Sequence, residues 1–171
     1  IYQCDWSSDV CSSDLGKSSV GKQLSKALSL SFTDTDAEIE RETGRKITDI
    51  FVEDGEAVFR QIEKTIVLDC MKNSDGVLSL GGGSVLDPEV ADSLRSNKAK
   101  VIYLEVSISN AAPRVGFNKE RPLLAINPRQ QWLSLMEKRR PIYEELAGIK
   151  ISTDGKKPNE VAREIKERSA V

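Results

Sequence analysis

The stretch GKSSVGKQLSKALSLSFTDTD, residues 16–36, decides how this chain folds. Four apolar residues recur in it at helical spacing and predict a helix over residues 18–28: Val20, Leu24, Ala27 and Leu28. Residues 28–35 then predict a short strand that leads into the carboxylates Asp34 and Asp36. A helix followed at once by a strand is typical of a parallel sheet covered by helices.

The rest of the chain repeats this alternation. Further strands are predicted over residues 76–80, 100–106 and 148–153. Further helices are predicted over residues 37–43, 47–52, 56–71, 88–94, 129–147 and 158–168. Residues 113–129 are charged and contain glycine, and they indicate a mobile segment. The fold class is therefore α/β, a three-layer α/β/α domain with a central parallel sheet.

Composition excludes several classes of protein and of site. The 171 residues include 25 Lys and Arg against 27 Asp and Glu, a net charge of −2 that argues against a nucleic-acid partner. No apolar run reaches the ~18–20 residues of a membrane span. With no histidine and three cysteines outside any CxxC pair, His-dependent triads and structural zinc are excluded. Chemistry must rest on carboxylates, Lys, Arg, hydroxyls, backbone N–H groups and a metal such as Mg²⁺.

Residues 1–15, IYQCDWSSDVCSSDL, differ from the rest of the chain. They show neither helical nor strand periodicity, and they are too polar for a signal peptide. The part CDWSSDVCSSDL resembles the conceptual translation of a sequencing-library adapter. We therefore expect residues 1–15 to be a non-native segment and residues 16–171 to form one domain. A short disordered tail is the alternative.

Residues 16–19, GKSS, stand directly before the first predicted helix and match the second half of the phosphate-binding pattern GxxxxGK(S/T). In that pattern backbone N–H groups hold phosphate oxygens, the lysine reaches the β- and γ-phosphates, and the hydroxyl binds Mg²⁺. The earlier glycine is expected at position 11, which is Cys11, and Asp14 would point a carboxylate at the phosphate. The alternative is an ordinary helix cap made by Ser18.

Two further motifs follow predicted strands. Asp34 and Asp36 are two residues apart, so an extended chain places both carboxylates on one side. One could order a hydrated Mg²⁺ and the other accept a proton from a hydroxyl, or both could be solvated acids at a helix start. The triplet 81–83 of glycines allows a ligand or a backbone to approach closely, unless it is a plain flexible turn.

Four arginines are candidates for binding anions. Arg139 lies on an apolar stripe with Trp132, Leu135, Met136 and Tyr143, whereas Arg140 points elsewhere. A guanidinium on that stripe needs a structural carboxylate or an anionic ligand. Arg60 follows Phe59 and could pair with Glu63 at the surface. Arg114 and Arg121 fall in the segment expected to be mobile, where an arginine can close over phosphates or remain solvated.

In their order along the chain, GKSS, DTD, FRQIE, SLGGG, RPLL and KRRPIY resemble the shikimate kinase family over residues 16–168. The resemblance implies a P-loop kinase fold with a mobile lid. It also implies transfer of the ATP γ-phosphate to the 3-hydroxyl of shikimate, in aromatic amino-acid biosynthesis. A cytoplasmic monomer with ATP and Mg²⁺, and with no membrane or nucleic-acid partner, is expected.

The same resemblance implies a role for each site residue. Gly16, Lys17, Ser18, Ser19, Arg114, Arg121 and Pro158 would bind the nucleotide. Ser18 and Asp34 would hold the metal, with Ser79 near them. Asp36, Arg60, Gly81, Gly82, Gly83 and Arg139 would bind shikimate. Lys17, Asp36 and Arg121 would be catalytic, with Asp36 orienting or deprotonating the attacking hydroxyl.

Three departures from the family pattern limit these expectations. The first strand and the first half of the phosphate loop are expected to be absent. Pro113 replaces a basic residue that is frequent in the lid, and Ser152 replaces an aspartate that is usual in the adenine loop. We expect the chain as printed to have little kinase activity. The alternatives are another small P-loop kinase, such as one acting on gluconate, and a nucleotide-binding module without transfer activity.

Overall fold

The computed structural model describes residues 2–5, 16–97, 100–107 and 128–169. The strands in these ranges are β1 Tyr2–Asp5, β2 Phe32–Asp34, β3 Val77–Leu80, β4 Val101–Glu105 and β5 Ile149–Ser152. The helices are α1 Lys17–Leu28, α2 Thr35–Thr43, α3 Ile47–Glu53, α4 Glu56–Asn73, α5 Pro88–Ser96, α6 Pro128–Leu146 and α7 Pro158–Arg168, with one 3₁₀ turn at Ser84–Leu86. Arg114, Arg121 and the lid segment lie outside the described residues.

The five strands form one parallel sheet in the order β2-β3-β1-β4-β5. Strand order reverses across β1 and β3, because the chain goes from β1 outward to β2 before it returns to β3. In open parallel sheets, ligands bind beyond the carboxyl ends of the strands where the order reverses. The topology therefore points to the ends of β1 and β3 as the place for a site.

Helices cover both faces of the sheet, as the alternation along its strands requires. Leu78 and Tyr103 belong to a core cluster shared with α4, α5 and α6. Val77 and Ile102, one residue away from each, belong to a second cluster shared with α1 and α7. The prediction of a three-layer α/β/α domain is confirmed.

A third, smaller cluster joins α2, α3 and the start of α4 beyond the edge of the sheet. Ile39, Ile47, Ile50 and Phe59 form it, and all four are buried. Because this cluster is separate from the two sheet layers, it holds α4 at its amino-terminal end while the sheet holds the remainder. Glu63 on α4 thereby lies close to Gly81, the residue that follows β3.

The predicted helices and strands from residue 16 onward are confirmed within the described residues, with shifted ends. Helix α2 begins at Thr35 rather than residue 37, because the Asp34 side chain accepts a hydrogen bond from the Asp36 N–H and caps the helix. Helix α4 buries Phe59, Glu63, Val67 and Met71, and leaves Cys70 only partly buried.

The expectation that the first strand is absent was also wrong. Strand β1 lies between β3 and β4, with Gln3 in register with Ser79 on one side and Ile102 on the other. Strand pairing uses backbone N–H and C=O groups, so four residues without a strand-like pattern can still occupy the position. Among the described residues, no helix is both long and apolar enough to cross a membrane.

Candidate functional site

Lys17 is the first residue of α1 and the centre of the site. Gly16 precedes it with a φ of 91°, a left-handed backbone that glycine adopts without strain. The Lys17 side chain is buried, and its Nζ donates a hydrogen bond to the Leu80 carbonyl oxygen at 3.1 Å. The same Nζ lies 3.6 Å from Oδ2 of Asp36. The lysine thus joins the start of α1 to the end of β3 and to the first turn of α2.

Ser18 and Asp34 form the next contact. The Ser18 hydroxyl donates to Oδ2 of Asp34 at 2.5 Å, so this serine contacts another element instead of capping its own helix. Oδ1 of Asp34 accepts the Asp36 N–H at 3.1 Å. Asp34 therefore caps α2, as one of the alternatives held, and also accepts the Ser18 hydroxyl.

The donors around Asp34 suit Mg²⁺. Ser79 is opposite Asp34 in the register of β2 and β3, and its buried hydroxyl has no hydrogen-bond partner in the part of the chain that the structure describes. Magnesium is usually held by one or two carboxylates, waters and substrate phosphates rather than by a cage of protein ligands. The described residues accordingly contain no cluster of three or more Asp, Glu or Cys side chains able to hold a metal. A carboxylate with two hydroxyls fits that mode of binding.

The three glycines 81–83, here called the glycine turn, follow β3 and are buried. Side chains from three elements hold their backbone. The Gly81 N–H donates to Oγ1 of Thr35 at 3.1 Å, Ser84 donates to the Gly81 carbonyl, and Tyr143 donates to the Gly82 carbonyl. The alternative of a plain flexible turn is therefore wrong.

Gly81 has no room for a side chain. A Cβ at this position would lie 2.7 Å from Oε1 of Glu63 and 3.0 Å from Oδ1 of Asp36. Both carboxylates therefore approach the Gly81 backbone closely, whereas the sequence had predicted that a ligand or a backbone would do so. The glycine turn forms one wall of the site, with Asp36 and Glu63 directly against it.

Arg60 lies beside these carboxylates on the first turns of α4. Its Nη1 is 2.5 Å from Oε2 of Glu63, and its guanidinium lies 5.2 Å from the centre of the Phe59 ring. The predicted Arg60–Glu63 pair is confirmed, but its placement at the surface was wrong. The Glu63 side chain is only 4% exposed and that of Arg60 23%, since the pair faces the site.

The surroundings of Glu63 shift the pKa of its carboxyl. Burial raises the pKa of its carboxyl above the ordinary value near 4.5, and the negative charge of Asp36 raises the pKa further. The neighbouring Arg60 and Lys17 oppose this shift without cancelling it. Two carboxylates and two cations are thus packed at the end of the sheet, where charges interact more strongly than in water.

Arg139 lies on helix α6. It is buried at 4% exposure, and Met136 and Tyr143 on the same face are buried too. Tyr143, one turn further along α6, contacts the glycine turn. Arg140 is exposed and forms ion pairs at 3.1 Å with Glu105 and Glu144, so the predicted difference between the two arginines is confirmed.

The remaining nucleotide-binding candidates are less defined. Ser19 is exposed on the first turn of α1, and Pro158 is exposed as the first residue of α7. In the loop between β5 and α7 the aspartate that the family usually has at Ser152 is replaced, but Asp154 supplies a carboxylate two residues later. Both of its oxygens accept the Ser107 N–H, at 3.0 and 3.1 Å.

Sequence reasoning missed Thr35 and Ser84, and it placed Glu63 at the surface. Position 63 is four residues after the buried Phe59, so helical spacing places Glu63 on the same buried face of α4. Its charge, however, suggested an exposed side chain. Thr35 had no such signal, because its contact is with Gly81, 46 residues away.

The family model for shikimate kinase matches residues 15–170. A shikimate kinase from Streptomyces avermitilis is 46% identical over 151 residues, which cover 88% of this chain and 87% of that protein. The structure of shikimate kinase from Acinetobacter baumannii in complex with shikimate superposes with a TM-score of 0.85 at 30% identity, covering 98% of this chain and 90% of that chain. A gluconokinase from Sinorhizobium meliloti has a TM-score of 0.57 at 21% identity, covering 99% and 90%, and shares the fold alone.

Proposed function

This chain belongs to the shikimate kinase family, and we propose how its own residues divide the work of that reaction. The reaction is the phosphorylation of shikimate by ATP, a step of aromatic amino-acid biosynthesis. It moves the terminal phosphoryl group of ATP to the 3-hydroxyl of shikimate and releases ADP. The proposals concern which side chains bind each substrate and which one handles the proton.

The contact between Lys17 and Asp36 carries the proposal. Lys17 follows Gly16 at the start of α1, and Asp36 lies two residues beyond the end of β2, yet their charged atoms are 3.6 Å apart. A phosphoryl acceptor bound at Asp36 would therefore have its hydroxyl next to the cation that binds the terminal phosphates of ATP. Proximity of this kind is the main contribution that a kinase makes to phosphoryl transfer.

We assign the acceptor side of the site to Asp36, Arg60, Arg139 and the glycine turn. Asp36 would bind the shikimate hydroxyls and accept the proton that the attacking hydroxyl loses as the O–P bond forms. Arg60 and Arg139 would bind the shikimate carboxylate, because a guanidinium forms paired hydrogen bonds with a carboxylate. The buried position of Arg139 and the short Arg60–Glu63 contact support this assignment.

We assign the nucleotide side to Gly16, Lys17, Ser18 and Ser19, with Pro158 beside the adenine. Ser18 and Asp34 would hold Mg²⁺, and Ser79 lies close enough to Asp34 in the sheet to bind a water of its shell. The metal would neutralise charge on the β- and γ-phosphates. Arg114 and Arg121 remain predictions from the family pattern as adenine and phosphate ligands. A cytoplasmic monomer is the setting we propose.

We also propose that residues 1–15 are a non-native segment that impairs this activity. The family match begins at residue 15, although the structure places residues 2–5 in the sheet. Eleven residues, 6–16, connect β1 to α1, whereas the phosphate-binding pattern GxxxxG needs six. With Cys11 in place of the first glycine and an added carboxylate at Asp14, we expect ATP to bind several kcal/mol more weakly.

A coupled assay of ADP release tests the proposal, with shikimate and gluconate compared side by side. It uses the chain with residues 1–15 replaced by an apolar strand and a GxxGxG loop. We expect turnover with shikimate only, and Arg139→Ala should raise the KM for shikimate at least tenfold while leaving the KM for ATP unchanged. Equal use of gluconate would favour the other small-molecule kinase. ATP binding without any turnover would favour a binding module.

A further inference from the structure

Two buried hydroxyls hold consecutive residues of the glycine turn, and the proposed reaction uses neither. Oγ1 of Thr35 accepts the Gly81 N–H at 3.1 Å, and the Tyr143 hydroxyl donates to the Gly82 carbonyl. Thr35 is 0% exposed and Tyr143 1%. Buried hydrogen bonds of this kind fix geometry, because breaking one leaves a polar group unsatisfied away from water.

Thr35 connects the glycine turn to Asp36. The two residues are adjacent, and the Asp36 N–H is itself bound to Oδ1 of Asp34. The backbone that carries the Asp36 carboxylate is therefore held on one side by Asp34 and on the other by Gly81. Loss of the Thr35 hydroxyl would release the second of these restraints.

Tyr143 connects the glycine turn to the helix that carries Arg139. The two residues are four apart on α6, so they lie on the same face of that helix. Pro141 lies between them and has no N–H to donate to the helix, which lacks one of its own hydrogen bonds there. The Tyr143 ring stacks on Tyr103 of β4, with ring centres 5.5 Å apart and planes 17° apart. The hydroxyl and the ring thus fix this turn of α6 to the sheet.

We propose that Thr35 and Tyr143 are positioning residues that set the separation between Asp36 and Arg139. This inference rests on the proposed function, which gives those two residues the hydroxyl end and the carboxylate end of shikimate. Gly81 and Gly82 are neighbours, with Cα atoms about 3.8 Å apart, so a short path of two hydrogen bonds and one peptide joins Thr35 to Tyr143. The glycine turn therefore serves as a spacer as well as a wall.

The two hydroxyls act on different ends of the substrate, and this gives each a distinct effect. Tyr143 holds the arginine that would bind the carboxylate, so its loss should weaken only ligands that carry this charge. Thr35 holds the aspartate that would bind the ring hydroxyls, so its loss should weaken charged and uncharged ligands alike. A general loss of stability would also weaken both ligands alike, so a thermal melt of the Thr35 variants must show that they remain folded.

Isothermal titration calorimetry on the full chain tests this with two ligands, shikimate and its uncharged carboxamide. The unmodified chain should prefer shikimate by about a hundredfold, since a buried guanidinium–carboxylate pair is replaced. Tyr143→Phe should weaken shikimate binding five- to tenfold and leave carboxamide binding unchanged. Thr35→Val should weaken both ligands by a similar factor, and Thr35→Ser should restore both.

Tyr103→Phe is the matched control, because it removes a phenolic hydroxyl from the other ring of the same stacked pair and should change neither affinity. The inference is overturned if Tyr143→Phe weakens both ligands equally or neither, or if Thr35→Val binds both normally. Should Tyr143→Phe fail to fold in a thermal melt, the Thr35 pair of variants decides.

Arg139→Ala distinguishes a failure of the proposed function from a failure of the positioning inference. If this variant keeps the preference for shikimate over the carboxamide, the proposed function fails. If it loses that preference while Tyr143→Phe keeps it, only the positioning inference fails.

Discussion

Strands β1 and β3 lie side by side in the sheet, but they meet very different requirements. All four residues of β3 are buried, and its end leads into a turn whose backbone is held by Thr35, Ser84 and Tyr143. Strand β1 has the sequence YQCD and is followed by eleven residues before α1 begins. Both strands pair in register with their neighbours, and side chains hold the turn that follows β3 in place.

A strand position and a phosphate-binding loop place different requirements on the amino-acid sequence. A strand position requires extended backbone, and many sequences provide that. A phosphate cradle requires successive N–H groups directed at one point, and this depends on glycines at fixed spacing before the helix. The N-terminal residues satisfy the first requirement, whereas their sequence does not satisfy the second.

The largest expected effect comes from restoring the cradle. With residues 1–15 replaced by an apolar strand and a GxxGxG loop, kcat/KM for ATP should rise about a thousandfold, because the loop then has the glycine spacing of a phosphate cradle and Asp14 is removed. The Kd for shikimate should change less than threefold, since Asp36, Arg60 and Arg139 lie outside the replaced residues. A coupled ADP-release assay and calorimetry measure the two quantities.

A shuffled version of residues 1–15, with the same composition, is the control and should restore nothing. Equal kinase activity of the unmodified chain and of the chain with the GxxGxG replacement would show that phosphate binding does not need those glycines. The segment after β1 would then serve the site as well as the turn after β3 does.

The second effect tests whether β1 belongs in the sheet. Gln3→Pro should lower the free energy of unfolding by about 3 kcal/mol, because proline removes a ladder hydrogen bond from an interior strand. Gln3→Val keeps the N–H and should not lower it. Chemical denaturation measures both, and a proline variant as stable as the unmodified chain would remove β1 from the sheet.

The third effect tests the end of β3. Gly81→Ala should weaken shikimate binding ten- to thirtyfold, because its Cβ would meet Glu63 at 2.7 Å and Asp36 at 3.0 Å. Gly76→Ala is the matched control at the other end of the same strand, where a Cβ would meet the Ser31 backbone. It should lower stability and leave the Kd for shikimate unchanged. Equal weakening by both would mean that Gly81 matters only for folding.

The smallest effect is the pH dependence of Glu63→Gln. The folded state raises the pKa of Glu63, so it binds this proton more tightly than the unfolded chain does. Stability supplied by the protonated acid is therefore complete below about 4.5 and is lost as the pH rises through the raised folded pKa. Glutamine stays neutral, so its stability relative to glutamate should increase across that window.

Urea unfolding of both forms between pH 4 and pH 8 measures this difference. A difference that stays constant with pH would show that the Glu63 pKa is not raised. If the form with glutamate becomes the more stable one as the pH rises, the ion pair with Arg60 outweighs the effect of burial on the Glu63 pKa.

Much of this architecture could be predicted from local pattern. Apolar residues at helical spacing predict the helices at residues 16–28 and 158–168. The apolar run at residues 101–104 predicts an interior strand. The motifs at Lys17, Asp34, Asp36 and Gly81 could be placed together because parallel strands end at the same edge. Arg139 could be placed inward because the stripe around it is apolar.

The rest could not be predicted because it depends on contacts between distant residues. Thr35 and Gly81 are 46 residues apart, and Tyr143 and Gly82 are 61 apart. Glu63 is charged, so its burial becomes visible only when α4 is placed over the sheet. Strand β1 forms because β3 and β4 offer it two pairing edges, which its own sequence does not reveal.

The three consecutive residues Asp34, Thr35 and Asp36 have one further consequence. Each contacts a different neighbour: Ser18, Gly81 and Lys17 respectively. A single-residue insertion or deletion here would move all three side chains to wrong neighbours at once, and no compensating change elsewhere could correct them together. Length variation among descendants of this gene should therefore fall in other loops, and a library of single-codon deletions would find this position among the least tolerant.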